Sequence, residues 1–145
     1  MARVSIYLNF NGTTEEAFSF YEKVFGTKII GKPMKMKDVP PHEGQTPLSP
    51  SDQELIMHVM MPILGGTIIM GTDATESMGM SLRQGNNMYI NLEPDTRSET
   101  DLLFNKLSEG GTVELPLQEM FWGDYFGSLT DRFGIQWMFN CTEKK

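Results

Sequence analysis

The sequence contains two copies of one strand–helix–strands pattern, and this repeat constrains the fold more than any other feature of the chain. Residues 7–10 (YLNF) align with residues 89–92 (YINL), and each copy continues through a turn into a helical pattern that ends at a glycine. Residues 65–72 (GGTIIMGT) and 133–140 (FGIQWMFN) also correspond. Two similar modules in one chain predict a cleft between or beside them, and we expect any function to lie there.

Hydrophobic periodicity predicts the elements of each copy. The first copy has predicted strands at 3–10, 28–31, 55–62 and 66–72 and a helix from a threonine cap at 13 or 14 to Gly26. The second copy has predicted strands at 87–93, 112–115, 125–130 and 135–141 and a helix at 98–107. The order βαβββ therefore occurs twice, which is typical of an α+β fold with mixed sheets. We predict a single domain over residues 1–145, with module one at 1–75 and module two at 86–145.

Two segments lie outside the repeated pattern. Residues 32–54 hold five prolines and few large apolar side chains, which predicts a long loop. Such a loop either covers a site or forms a surface connection, and the sequence leaves both alternatives open. Residues 73–86 contain several Gly, Met and Ser residues and are predicted to link the two modules.

Composition and charge disfavour several classes of partner. The chain carries 19 acidic and 12 basic side chains, a net charge of -7, which argues against nucleic acid or an anionic membrane. No apolar run approaches the roughly 20 residues of a membrane helix, and the N-terminus enters a strand without a signal-peptide segment. The single cysteine, Cys141, cannot form an internal disulfide, so we expect a cytoplasmic location.

Three local sequences carry a resemblance to a known family. They are YLNFNGTTEEAFSFYEKVFG at the start, LIMHVMM in the middle and LQEMFWGDYFGSLTDRFGIQWMFN at the end. The chain resembles the vicinal oxygen chelate superfamily (the glyoxalase / bleomycin-resistance / dioxygenase fold), and within it the PhnB-like branch. This resemblance implies two βαβββ modules that form a half-open mixed β-barrel cleft. The branch is also labelled 3-demethylubiquinone methyltransferase-like, but the sequence has no Gly-rich nucleotide loop to support that activity.

The resemblance also implies positions for metal ligands. Metal-using members take two ligands from each module, on its first and last strands, drawn from His, Glu or Gln. Here these positions fall on Ser5, Asn87, Met70 and Met138. Hard divalent ions prefer carboxylate and imidazole ligands, and thioethers suit only soft metals. We therefore predict no metal and no other cofactor, with a divalent metal kept as the alternative.

Strand alternation predicts which side chains line the cleft. The predicted ligand-binding residues point away from the helices: Tyr7, Asn9, Tyr89, Asn91, Gln136 and Met138, with Met70 beside them. The helices should pack on Ile6, Leu8, Phe10, Met88, Ile90, Leu92, Ile135, Trp137 and Phe139. Aromatic, Met and amide side chains are typical of a small-molecule pocket, although some of them would serve equally to fill the mouth of the barrel.

A few residues have competing interpretations. His58 would act as a base or ligand near neutral pH, but a histidine in an apolar strand is more often held structurally by a hydrogen bond. Trp122 would line the cleft as a further ligand-binding residue, with Asp124 as a candidate acid or base. The same aromatic segment would equally suit a dimer contact. Asp131 is interpreted as a turn former that accepts bonds from backbone amides.

Three functions follow from this sequence. We favour a metal-independent protein that binds a small molecule, and we expect a homodimer because superfamily clefts are commonly completed across two chains. The second is a divalent-metal lyase, isomerase or dioxygenase, which would need side chains such as His58 or Asp124 to converge on the ion. The third is a methyltransferase-like or carbon–phosphorus accessory role suggested by the branch labels.

Overall fold

The structure is a computed structural model that describes residues 1–40, 43–44 and 46–145. The chain divides into two compact units, Met1–Arg83 and Gln84–Lys145. Their boundary falls within the predicted linker at 73–86, and the assignment of a single domain stays a prediction. None of the helices in the described ranges is both long and apolar enough to cross a membrane.

The first unit is one four-stranded sheet with a helix on one face. Its elements are β1 (Ile6–Phe10), α1 (Thr14–Phe25), β2 (Met34–Lys35), the short helix α2 (Pro50–Gln53), β3 (Ile56–Pro62) and β4 (Ile68–Asp73). The strand order is β1-β4-β3-β2. The first and last strands, β1 and β4, pair in parallel, whereas β3 pairs antiparallel with both β4 and β2.

The second unit repeats this topology. Its elements are β5 (Ile90–Leu92), α3 (Arg97–Ser108), β6 (Thr112–Glu119), β7 (Tyr125–Thr130) and β8 (Gln136–Cys141). The strand order is β5-β8-β7-β6, with β5 and β8 parallel and the other pairs antiparallel. The predicted α+β class and the repeated βαβββ order are therefore confirmed, and both long helices match their predicted spans to within one or two residues.

Each helix begins and ends for reasons visible in the sequence. Helix α1 has Glu15 and Glu16 in its first turn, where acidic groups favour the helix dipole, and it ends at Gly26 with φ of 68°. Helix α3 is N-capped by Thr96, whose hydroxyl accepts a hydrogen bond from the Glu99 backbone N–H. Their apolar stripes are buried, and so each helix covers one face of its sheet.

The core of each unit lies between the helix and the sheet. In the first unit the Phe10 and Phe18 rings meet edge-on, and an added Cβ at Gly71 would overlap the Phe18 ring. In the second unit Phe104 of α3 meets Phe139 of β8 with ring centroids 5.5 Å apart. The face that carries the helix is therefore closely packed. The opposite face of each sheet is here called the helix-free face.

The segment 32–54 contains more structure than predicted. The second strand is Met34–Lys35 instead of 28–31, and it is followed by a 3-10 turn and by α2. Lys35 and Lys37 both pair with Glu54, at 2.8 and 2.9 Å, which ties the two ends of the segment together. These pairs lower the pKa of Glu54 to about 2, mainly through the hydrogen bond from Lys35. Residues 41, 42 and 45 of this predicted loop lie outside the described residues.

Two other sequence expectations were wrong. Strand β6 extends to Glu119, well beyond the predicted end at 115, and its pairing with β7 shifts register between Val113 and Leu115. Met88 was assigned to the core beneath the second helix but is 72 % exposed, because β5 begins only at Ile90. A residue before the strand has no neighbouring strand to hold it in the alternating pattern.

Candidate functional site

The helix-free face of the first sheet combines an aromatic ring, methionines and an imidazole. Tyr7 lies opposite Met70 in the parallel pair, Met70 lies opposite Met60, and His58 lies opposite Met34 on the edge strand. We call these five residues the Tyr7 face. Tyr7 is 50 % exposed and Met34 is 46 % exposed, so a ligand would meet large apolar groups here. Asn9, also exposed, lies farther along the same face opposite Thr72.

Tyr7 and His58 are neighbours on this face. The Tyr7 hydroxyl lies 3.5 Å from His58 Nδ1, which is long for a hydrogen bond, and the ring centroids are 5.9 Å apart. The imidazole is half-buried, so it is neither sealed in the core nor fully solvated. The pair can present a hydroxyl and an imidazole nitrogen to a ligand lying on the methionines.

The helix-free face of the second sheet is more polar. Asn91 lies opposite Met138, which lies opposite Ser128, while Gln136 lies opposite Thr130. Asn91 is exposed and Met138 is half-buried. Amide and hydroxyl groups in this arrangement can orient a ligand through hydrogen bonds, whereas the Tyr7 face offers mainly contact area.

A hydrogen-bonded cluster lies at one end of this second face. The Tyr89 hydroxyl donates to Glu114 Oε1 at 2.8 Å, and the Thr130 hydroxyl donates to Glu114 Oε2 at 2.9 Å. The Gln136 amide is oriented so that its nitrogen donates to the Gly85 and Met88 carbonyls, at 3.1 and 3.0 Å. The Gln136 amide oxygen then lies 3.2 Å from the Tyr89 hydroxyl. We call Tyr89, Glu114, Thr130 and Gln136 the Tyr89 cluster.

Glu114 is a member that the sequence reasoning missed. A regular strand would put Val113 and Leu115 on one face and Glu114 on the other. The irregular pairing between Val113 and Leu115 sets Val113 opposite the buried Leu129 but Leu115 opposite Ser128. The bulge moves Leu115 to the other face, whereas Glu114 lies on the face opposite to Val113 and reaches Tyr89 and Thr130. A lone Glu in a short predicted strand gave no signal of this.

The strand register corrects one part of the predicted repeat. Met70 had been matched with Met138, but Met70 lies opposite Tyr7 whereas Met138 lies opposite Asn91. Asn91, the predicted counterpart of Asn9, lies opposite Met138, whereas Asn9 lies opposite Thr72. The two predicted matches, Asn9 with Asn91 and Met70 with Met138, therefore differ by two residues and do not both hold. A shift of two keeps every side chain on its face, so the assignment of faces is unaffected.

The side chains at the implied metal positions do not fit a hard divalent cation. Met70 and Met138 offer thioethers, Ser5 and Asn87 offer a hydroxyl and an amide, and a shift of two residues on either last strand would bring in only Thr72 or Gln136. Hard cations prefer carboxylate and imidazole ligands. Among the residues that the structure describes, no three His, Cys, Asp or Glu side chains converge on one point.

Trp122 and Asp124 lie in the turn between β6 and β7. Trp122 is 47 % exposed and meets the Phe121 and Phe126 rings at 4.9 and 6.1 Å. Asp124 accepts a hydrogen bond from the Asn140 amide at 3.0 Å and lies 3.5 Å from Lys144 Nζ. The Asn140 bond and the nearby lysine lower the pKa of Asp124, so the carboxylate stays ionised at neutral pH and suits a turn anchor better than a general acid.

A separate groove of about 1050 Å³ lies within the first unit, between the segment 36–53 and the 3-10 turn that follows β4. Its walls include Met36, Leu48, Met57 and Met78. None of the predicted site residues lines it, and most of its members come from the segment 32–54 that the sequence predicted as a loop.

Comparisons with known proteins agree with the observed topology. A family model described as 3-demethylubiquinone-9 3-methyltransferase matches residues 2–139. The crystal structure of protein PA1353 from Pseudomonas aeruginosa is 33% identical, covers 100% of both chains and superimposes with a TM-score of 0.78. A PhnB protein from Bacillus cereus is 22% identical, with coverage of 97% and 99% and a TM-score of 0.75.

More distant structures share the fold alone. A glyoxylase/bleomycin resistance protein/dioxygenase domain from Frankia sp. EAN1pec is 15% identical, covers 99% of this chain and 93% of its own, and has a TM-score of 0.66. The family model confirms the predicted branch, which is also labelled 3-demethylubiquinone methyltransferase-like. The predicted resemblance to the glyoxalase/bleomycin-resistance/dioxygenase proteins is confirmed for the fold.

Proposed function

Since this chain belongs to the family described as 3-demethylubiquinone-9 3-methyltransferase and has the glyoxalase/bleomycin-resistance fold, we propose that it binds a small molecule and does so without the superfamily metal. The observation that carries the proposal is the Tyr7 face. An exposed Tyr7 beside Met70 and His58 offers apolar contact area with few polar groups, as in pockets for planar ligands. The other predicted ligand-binding residues, Asn9, Tyr89, Asn91, Trp122, Gln136 and Met138, belong to the same proposal.

Binding of a planar aromatic probe tests the proposed function. We expect 1-anilinonaphthalene-8-sulfonate to bind the folded protein, with Tyr7→Ala raising its Kd about tenfold because aromatic contact is lost. Leu102→Ala is the matched control, since Leu102 is 54 % exposed on helix α3 and does not belong to the Tyr7 face. The measurement is a fluorescence titration at fixed protein concentration. Equal Kd values for both variants and the parent would rule out Tyr7 as a ligand contact.

Elemental analysis separates this proposal from the divalent-metal alternative. Protein purified without a His-tag, before and after incubation with Zn, Ni, Mn and Fe(II), should retain no stoichiometric ion, because the donor set offers thioether, hydroxyl and amide groups. One tightly held ion per chain would instead favour the lyase, isomerase or dioxygenase function, with His58 as the first ligand to replace.

A titration with S-adenosylmethionine tests the methyltransferase activity in the family description, and we expect no heat of binding.

The proposal also includes a cytoplasmic homodimer. Its support is the turn between β6 and β7, where Phe121 is 97 % exposed beside Trp122, because exposed aromatic side chains are enriched at interfaces. Light scattering should give twice the 16.4 kDa chain mass. Phe121→Ser should shift the measured molar mass toward that of a single chain. A single-chain molar mass for the parent protein would rule the dimer out.

A further inference from the structure

The Tyr89 cluster contains a carboxylate that is held in place but not neutralised. Glu114 is exposed, and its two oxygens accept one hydrogen bond each from the Tyr89 and Thr130 hydroxyls. An ionised carboxylate has about four acceptor positions, so roughly two remain free. The hydroxyl donors fix the orientation of the group without cancelling its charge.

Three other bonded carboxylates of the chain differ from Glu114 in this respect. Glu54 pairs with two lysines, Glu119 with Arg97 and Asp124 with Lys144. Within the described part of the chain, no ion pair includes Glu114, whose partners are both neutral. Because the Glu114 bond and its negative charge raise the pKa of Tyr89, the phenol keeps its proton and remains a donor to the carboxylate.

The position of Glu114 is one that a ligand can use. Its bond to the Thr130 hydroxyl places the carboxylate at the helix-free face, where Asn91, Gln136 and Met138 also lie. A fixed anion next to amides and a thioether complements a ligand with a positively charged group on an apolar or aromatic body. A ligand with only a neutral hydrogen-bond donor would bind Glu114 less tightly, because a hydrogen bond between two ionised groups is stronger than one with a neutral donor.

We propose that Glu114 is the anchor for a cationic group of the bound small molecule, either a protonated amine or a guanidinium. This inference rests on the proposed small-molecule function and names its ligand class. Tyr89 and Thr130 are positioning residues, since they act by holding the carboxylate. The charge of the site is set by Glu114 alone, because every other member of the Tyr89 cluster is neutral.

A matched pair of probes tests the inference on the full-length protein. Phenethylamine is a cation at pH 7, and phenethyl alcohol has the same ring and chain without the charge. Titration of the ¹⁵N-labelled protein followed by amide NMR shifts gives a Kd for each. We expect the amine to bind about tenfold more tightly than the alcohol, as one charge-assisted contact would give. The preference should shrink as salt is raised, because the site is exposed.

Charge-neutralising variants locate the effect. Glu114→Gln should bind both probes equally, whereas Glu109→Gln, an exposed change at the end of α3, should keep the tenfold preference. The amide spectrum itself shows that each variant is folded. Equal affinities for the two probes in the parent protein, or a preference that survives Glu114→Gln, would overturn the inference while the proposed function stands. Binding of neither probe would overturn the inference and would also count against the proposed function.

Discussion

Replacing Asp73 by alanine should lower the free energy of unfolding by about 3–5 kcal/mol, since several buried donors would lose their acceptor at once. Asp73 is 2 % exposed at the end of β4. Its Oδ1 accepts from the Thr14 backbone N–H at 3.1 Å and from the Thr14 hydroxyl at 2.6 Å. Its Oδ2 accepts from the Ile56 N–H at 2.8 Å. One carboxylate therefore joins the start of α1 to the start of β3.

Urea unfolding followed by circular dichroism measures this effect. Asp73→Asn keeps one acceptor oxygen and should lose less stability than Asp73→Ala, which keeps none. Asp95→Ala serves as the control because Asp95 is exposed and should change stability by less than about 0.5 kcal/mol. A loss below about 1 kcal/mol for Asp73→Ala would mean that water replaces the carboxylate as the acceptor.

Replacing Asp131 by alanine should cost about 3 kcal/mol in the second unit, for a related reason. Asp131 is 3 % exposed, and its Oδ1 accepts from the Phe133 and Ile135 backbone N–H groups at 2.8 and 3.0 Å. Its Oδ2 accepts from the Trp137 indole at 2.9 Å. The predicted role as a turn former is confirmed, and the bond to the buried indole extends that role into the core.

A double-mutant cycle isolates the part of this cost that belongs to the indole. Trp137→Phe removes the indole N–H while keeping an aromatic ring in the core. If the bond contributes as expected, the Asp131→Ala and Trp137→Phe changes should be non-additive by about 1 kcal/mol. Asp131→Asn should place an amide against the indole or give up one backbone bond, and so should fall between the parent and Asp131→Ala. Full additivity in the cycle would show that the indole bond adds nothing to stability.

Local sequence patterns predicted most of the fold. The helices and the hairpin strands β3, β4, β7 and β8 follow from apolar periodicity and from glycine stops, which act over a few residues. Edge strands were less predictable. Strand β2 is two residues long, and β6 contains Pro116 and two irregularities in its pairing with β7, so neither shows clean alternation.

The candidate site was predictable in its faces but not in its contacts. Alternation placed Tyr7, Asn91 and Gln136 opposite the helices, as the strand pairing shows. The register between parallel strands is set by packing across the sheet, which no local pattern encodes, and so the predicted matches of Asn9 with Asn91 and of Met70 with Met138 disagree by two residues. Glu114 was missed because its partners, Tyr89 and Thr130, come from other parts of the chain, and no local pattern links them.

The parallel pairing of the first and last strands has a consequence for how each unit folds. In the first unit Tyr7 of β1 must meet Met70 of β4 across the whole length of the unit, whereas β3 and β4 are joined by a short turn. Closing a long loop costs more entropy than closing a short one, so the hairpin can form before the parallel pair does. Asn91 and Met138 stand in the same relation in the second unit. A folding intermediate that holds only the hairpins would therefore lack Tyr7 on one face and Asn91 on the other, which makes ligand binding a reporter of the last step of assembly.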